Sequence, residues 1–243
     1  MEEPIALIFE DQLRLVKGFT EFFTKLLEKD ESIFNVALSG GSTPKIWFDY
    51  LAKNASNPIE WSRIRLFWGD ERCVPPDNSD SNFGMAKKHL LDHIDIPAEN
   101  IHRIHGERKP ADAALHYSKE LTENLQHEKT PVFDLVILGI GDDGHTASIF
   151  PHQIELWSAD DNCVVATHPI SGQERVSITG KIINSAKAVA FLVTGDSKAE
   201  RVKEIIEEEP HSAYYPASLV RPKTGTLHWF LDTEAAKLLN NDQ

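Results

Sequence analysis

The chain has 243 residues, 41% of them hydrophobic, and a formal net charge of −13. That apolar content suffices for the core of one large α/β domain or two small ones, and the acidic balance argues against nucleic acid and anionic membranes as partners. No apolar run reaches the roughly 18 residues of a membrane span, and the two cysteines, Cys73 and Cys163, make neither a disulfide framework nor a zinc site.

The opening Met1-Glu2-Glu3-Pro4 lacks the basic and apolar regions of a signal peptide, so a reduced, cytoplasmic protein is expected. Residues 11–29 carry Leu13, Val16, Phe19, Phe23, Leu26 and Leu27 at helical spacing and read as an amphipathic helix. Phe34–Leu38 reads as a strand that ends in Ser39-Gly40-Gly41-Ser42-Thr43-Pro44. A helix through Lys53 follows, and Pro44 suits its first turn. Ile64–Trp68 is a second buried strand leading into Gly69-Asp70-Glu71-Arg72. Cys73–Ser81 is polar and proline-bearing, hence a loop. Asn82–Ile94 and Ala111–Gln126 read as helices. Strands are expected at Leu135–Leu138, Cys163–Thr167, Val189–Thr194 and Leu227–Leu231, with a helix at Lys198–Glu209 and a short one at the end. No repeat, low-complexity segment or linker interrupts them. Strand–helix alternation implies an α/β fold with a mostly parallel sheet covered by helices on both faces.

Asp134–Pro151 organises this pattern. The apolar run Leu135–Leu138 marks a strand buried on both faces. Gly139, Gly141 and Gly144 then free the backbone to form a tight loop. His145 follows, and Thr146-Ala147-Ser148 can open a helix. A lone imidazole therefore sits at the carboxyl end of a central strand, the edge where open α/β sheets bind ligands. His145 is the candidate general base.

Other stretches keep two readings. Ser39–Pro44 is either a phosphate cradle at a helix start or a capped βα turn. It is not a P-loop, because the Gly-Lys-Ser/Thr ending is missing. Arg72 either clamps an anion with its planar fork or pairs with Asp70 in a solvated loop. Gly139–Gly144 matches G-x-G-x-x-G, with Asp160 and Asp161 about 20 residues on. Those acids precede the apolar run Cys163–Ala166 instead of ending a strand, which argues against a dinucleotide site. His89 and His93 mimic a zinc pair, yet Leu90 stands where H-E-x-x-H needs its glutamate. His102 and His105 read as loop histidines. Arg175 and Lys198 read, on their own, as surface cations. No G-x-S-x-G elbow supports a serine hydrolase.

Taken together, the motifs resemble the glucosamine-6-phosphate isomerase/6-phosphogluconolactonase superfamily, on its lactonase side. The resemblance runs through Ser39–Pro44, Trp68–Arg72, Asp80-Ser81-Asn82, Gly139–Pro151, His168-Pro169-Ile170, Arg175–Thr179, Pro216-Ala217-Ser218 and Leu227–Asp232, nearly the whole chain. It implies hydrolysis of 6-phospho-D-glucono-1,5-lactone to 6-phospho-D-gluconate, a step of the oxidative pentose phosphate pathway. It also implies a single Rossmann-like α/β domain of three layers over 1–243, a sugar-phosphate lactone as partner, and no metal or organic cofactor; a monomer or weak homo-oligomer is expected. His145 would be the general base and Arg72 would contact substrate. Gly40, Gly41, Ser42, Thr43, Arg175 and Lys198 would hold the phosphate. Asp143 or Asp70 would orient the imidazole or the ring hydroxyls. Ser171-Gly172-Gln173 departs from the prolines that family members often carry before the arginine.

Two rivals differ in chemistry. Amino-sugar-phosphate deaminases of this superfamily carry a glutamate five residues after the histidine, where this chain has Phe150, and Asp-Glu-Tyr where it has Asp70-Glu71-Arg72. Non-catalytic sugar-phosphate sensors usually come fused to a DNA-binding module, for which these motifs leave no stretch.

Overall fold

The computed structural model describes residues 3–29, 31–54, 59–125 and 130–240. The first half runs β1 (Ile5–Phe9), α1 (Gln12–Glu28), β2 (Phe34–Leu38), α2 (Ser42–Lys53), β3 (Ile64–Trp68), β4 (Asp70–Arg72), α3 (Asn82–His89), β5 (Ile101–His102) and α4 (Pro110–Asn124). The second half runs β6 (Leu135–Leu138), β7 (Cys163–Thr167), β8 (Glu174–Ile178), α5 (Gly180–Ile183), β9 (Ala188–Val193), α6 (Ala199–Ile206), β10 (Thr226–Asp232) and α7 (Thr233–Ala236).

Seven strands form one sheet in the order β1-β10-β9-β6-β2-β3-β5, and every pairing in it is parallel. The chain moves outward from β2 to β3 and β5, then returns to place β6 on the other side of β2. Parallel crossovers are right-handed. So α1 and α2, which carry the chain one way, share a face, and α4, α5 and α6, which carry it back, cover the other. On the first face Phe19 meets Trp47 edge-on at 4.8 Å and Phe230 at 5.0 Å, while Trp47 Nε1 donates to Thr20 Oγ1. The inner strand β6 is buried throughout, as its unbroken apolar run requires. The α/β layering thus agrees with the alternation in the sequence.

A second sheet was not legible from that alternation. β7, β8 and β4 pair antiparallel in the order β4-β8-β7, so Cys163–Thr167 does not join the parallel sheet as expected. Gly69 links the two sheets: its N–H donates to the Leu38 carbonyl and its own carbonyl accepts from Ile178 N. Other expectations shift as well. Asn82–Ile94 is not one helix, because α3 stops at His89 and a 3₁₀ turn, Leu91–His93, follows. Lys198–Glu209 shortens to α6, preceded by a 3₁₀ turn at Asp196–Lys198. Thr146–Ser148 opens no helix. Thr146 instead bridges to Ile149 and Ala147 takes φ of 48°. Of the expected Ala111–Gln126 helix, Gln126 lies outside the described residues.

Trp68 ends β3 one residue beyond the reach of β5, which pairs only with Leu66 and Phe67. The hydroxyl of the wholly buried Tyr117 completes the ladder. It accepts from Trp68 N at 2.8 Å and donates to Trp68 O at 2.9 Å. Each buried group left unpaired costs about 1–3 kcal/mol, so Tyr117→Phe should destabilise the protein by about 2–4 kcal/mol in chemical denaturation. A loss near zero would show that water replaces the hydroxyl.

Candidate active site

The strand order reverses between β2 and β6, and the loops leaving their carboxyl ends splay apart there. A cleft of about 250 Å³ opens at this point. Ligand pockets run about 300–1,000 Å³, so this one is of the size for a small molecule. Its lining includes Gly40, Gly41, Ser42, Thr43, Asp70, Arg72, His145, Arg175 and Lys198. Of the residues singled out from sequence, all but Asp143 line it.

The first wall is the β2–α2 loop. A Cβ on Gly40 would lie 1.9 Å from Asn82 Oδ1, and Gly41 has φ of 107°, so both positions need glycine. Helix α2 begins with no side-chain cap. Its first turn therefore presents amides and the positive end of its dipole to the cleft. Thr43 is tied to the end of β9 by a 2.9 Å hydroxyl contact with Thr194.

The second wall is the β6 loop. It closes through Gly144 N to Gly141 O and Gly141 N to His145 O. A Cβ on Gly141 would lie 2.0 Å from His145 Nδ1, so the loop folds tightly against its own imidazole. Asp143 Oδ1 lies 2.6 Å from His145 Nδ1 and also accepts the His145 amide at 3.1 Å. Partial burial alone would raise the Asp143 pKa, but the bonds from His145 outweigh it and hold it at about 2. A carboxylate only accepts, so Nδ1 carries a proton, and in the neutral ring Nε2 is the nitrogen with the lone pair. The ring rests on the fully buried Phe150, centroids 4.6 Å apart.

The small antiparallel sheet supplies the third wall. Arg72 and Arg175 are direct cross-strand neighbours. Like charges so placed repel. Both Nε atoms are buried without a partner, and the Arg175 guanidinium lies over Phe150 at 5.4 Å. Burial lowers the Arg175 pKa from its ordinary value, with the Asp70 carboxylate opposing. The Ser171-Gly172-Gln173 turn leaves Arg175 in the cleft. Gln173 N–H₂ reaches Asp80 at 3.1 Å, and Asp80 O accepts from Arg72 Nη1. Asp70 does not pair with Arg72 in a solvated loop. It is buried, accepting from Ser148 Oγ at 2.6 Å and from Asn82 Nδ2 at 3.4 Å. Asp143, and not Asp70, thus touches the imidazole.

Lys198 closes the cleft from the loop after β9, its ammonium paired with Asp142. Asp232 anchors that loop by accepting Gly195 N–H while also capping α7 at Ala235 N.

Sequence reasoning gave no role to Glu71, Asn82 or Asp142. Glu71 is buried and receives Arg72 N, Ser81 Oγ, Asn82 N and Phe83 N, which fixes the start of α3 and with it Asn82. Burial raises its pKa, and these bonds oppose the rise. A polar residue inside the Asp70–Arg72 run was the available signal. The zinc mimic dissolves, since His89 binds Asp49 and His93 binds the Lys88 carbonyl. Among the described residues one trio, Glu204, Glu209 and His211, is close enough to share an ion. It lies outside the cleft, and Arg201 and Lys203 already pair with its carboxylates.

With this geometry in hand, the relatives are informative. The family model for glucosamine-6-phosphate isomerases/6-phosphogluconolactonase matches residues 11–229. The 6-phosphogluconolactonase of Haemophilus influenzae is 47% identical over 207 residues, 84% of this chain and 87% of that one. The solved 6-phosphogluconolactonase of Trypanosoma brucei superposes with a TM-score of 0.88 at 30% identity, covering 99% of this chain and 100% of that one. A monomeric glucosamine-6-phosphate deaminase shares the fold, TM-score 0.82, at 18% identity over 96% and 99% of the two chains.

The Asp143–His145 bond carries an acid-stability signature. A carboxylate lowered from 3.8 to about 2 stabilises the fold fully above pH 3.8 and loses that contribution as pH falls toward 2. The stability gap between wild type and Asp143→Asn, followed by urea denaturation against pH, should therefore narrow across this window. A gap independent of pH would show that the carboxylate is not held as described.

Proposed function

The chain belongs to the glucosamine-6-phosphate isomerase/6-phosphogluconolactonase family, and from that premise we propose that it hydrolyses 6-phospho-D-glucono-1,5-lactone to 6-phospho-D-gluconate with His145 as general base. The single observation that carries the mechanism is the imidazole held by Asp143 through Nδ1, its Nε2 available, in a cleft flanked by cations and an uncapped helix start.

A δ-lactone is an activated ester, so the demand on the protein is modest. Water must lose a proton as it attacks C1, and the developing oxyanion must be met by positive charge. Nε2 of His145 takes that proton, and the Asp143 carboxylate stabilises the resulting imidazolium. The tetrahedral intermediate collapses by breaking the C1–ring oxygen bond, and the imidazolium returns its proton to the departing ring oxygen. Arg72 contacts the substrate and supports the negative charge at C1. The Gly40–Thr43 turn, Arg175 and Lys198 hold the phosphate, whose binding orients the ring. Asp70, fixed by Ser148 and Asn82, accepts a ring hydroxyl in this reading. The chain acts in this reading as one cytoplasmic catalytic domain, with no cofactor required by the chemistry.

Phe150 weighs against the deaminase chemistry. The position where those relatives carry an extra acid holds a wholly buried phenyl ring packed on the imidazole.

Coupled turnover tests the proposal: the lactone is generated by glucose-6-phosphate dehydrogenase and its disappearance followed. His145→Ala should lose about 10²–10⁴-fold in kcat with the fold intact by circular dichroism. Retained wild-type turnover would remove His145 from the mechanism. Arg175→Ala and Lys198→Ala should mainly raise KM for the phosphorylated lactone, with less effect on gluconolactone. Equal losses on both substrates would contradict their phosphate role. Chelators should leave the rate unaltered.

A further inference from the structure

Two consecutive carboxylates in the β6 loop do different work. Asp143 turns back to His145, while Asp142 reaches across to the Lys198 ammonium. Lys198 lines the cleft and Asp142 does not. The pair is unequal in exposure: the Lys198 side chain is 24% accessible and that of Asp142 is 77%. The lysine is therefore placed by its own surroundings. It closes the 3₁₀ turn Asp196–Lys198, which Gly195 begins at φ of 93° and Asp232 secures through the Gly195 amide. Asp142 is a solvated carboxylate that loses little when it lets go.

Building on the reading in which Lys198 holds the substrate's phosphate, we infer that Asp142 is a displaceable counter-ion of that lysine, one that weakens phosphate binding and so limits the preference for phosphorylated over unphosphorylated lactone. A phosphate arriving at Lys198 meets a carboxylate already there. It must displace that carboxylate and then bear its negative charge nearby. The same repulsion acts on the product, which keeps the phosphate and gains a carboxylate. Binding of substrate and product is thereby loosened without any change at the imidazole, which Asp143 holds separately.

The test compares Asp142→Asn, Lys198→Ala and the double variant. Each is assayed with the phosphorylated lactone and with gluconolactone, and each is titrated with 6-phosphogluconate by calorimetry. Asp142→Asn should tighten 6-phosphogluconate binding and lower KM for the phosphorylated lactone by about three- to tenfold more than it changes KM for gluconolactone. That gain should fade at about 1 M salt, where the Debye length is about 3 Å. It should shrink in the Lys198→Ala background, where only the repulsion between Asp142 and the phosphate is left, and the difference is the coupling that a double-mutant cycle reads. If Asp142→Asn binds 6-phosphogluconate no more tightly than wild type while Lys198→Ala loses phosphate-dependent affinity, the counter-ion inference fails and the phosphate role of Lys198 stands. If Lys198→Ala shows no phosphate-dependent loss, that role falls and the inference falls with it. An equal fall in KM for both lactones also overturns the inference.

Discussion

The reversal of strand order between β2 and β6 is the constraint on which the site depends. Right-handed crossovers send α2 to one face of the sheet and the chain after β6 to the other. Between them the sheet edge cannot be filled by its own connections. Both loops that leave it are glycine-rich for steric reasons visible in the structure: a side chain at Gly40 would strike Asn82, and one at Gly141 would strike His145. The opening and the imidazole that faces it are thus two results of one topological step.

The small antiparallel sheet completes what the parallel one begins. Gly69 lets β3 turn directly into β4, passing hydrogen bonds from Leu38 on one side to Ile178 on the other. This turn carries Asp70, Glu71 and Arg72 to the cleft in three successive residues. Alternation along β4 then divides their tasks. Asp70 and Arg72 line the cleft, while Glu71 points away and receives the start of α3. Glu71 holds α3, α3 holds Asn82, and Asn82 returns a bond to Asp70. A charged side chain remains buried here because every bond it accepts belongs to an element that shapes the site.

This division explains what could be read from the sequence. The strands Phe34–Leu38, Ile64–Trp68 and Leu135–Leu138 are plain because burial on both faces leaves apolar runs, broken only at the second residue of the first two by Asn35 and Arg65. Cys163–Thr167 reads as a strand, but nothing in its pattern shows that it pairs antiparallel with β8, since local pattern records burial and not partners. β8 escaped because Glu174 and Arg175 break its apolar character at the end that meets the cleft. β1 is an edge strand exposed over most of its length, with no buried face to impose alternation. Most of the site was legible because its residues cluster at strand ends beside glycine. The choice between Asp143 and Asp70 was not, because it turns on 2.6 Å contacts made by loop geometry. Glu71 and Asp142 stayed hidden because a carboxylate's partner, three strands or one loop away, leaves no mark on its neighbours in the chain.

A chain of net charge −13 presents a difficulty for a reading in which it binds a phosphate ester. The resolution is local. Global charge is screened over about 8–10 Å at physiological salt, so the ligand responds to what lies within one ring's length. There the fold sets Arg72 beside Arg175, although neighbouring cations repel, and leaves two buried guanidinium N–H groups without acceptors. It also starts α2 without a cap. Each of these is unfavourable by itself, and an anion with several oxygen acceptors is the guest that the proposed reading sets against them. Asp143 is taken up by the imidazole, and Asp142 offsets only Lys198, so neither cancels the field of Arg72, Arg175 and the α2 start. In the proposed reading the cleft holds its anion by local cations and free amides, within a protein whose surface as a whole is acidic.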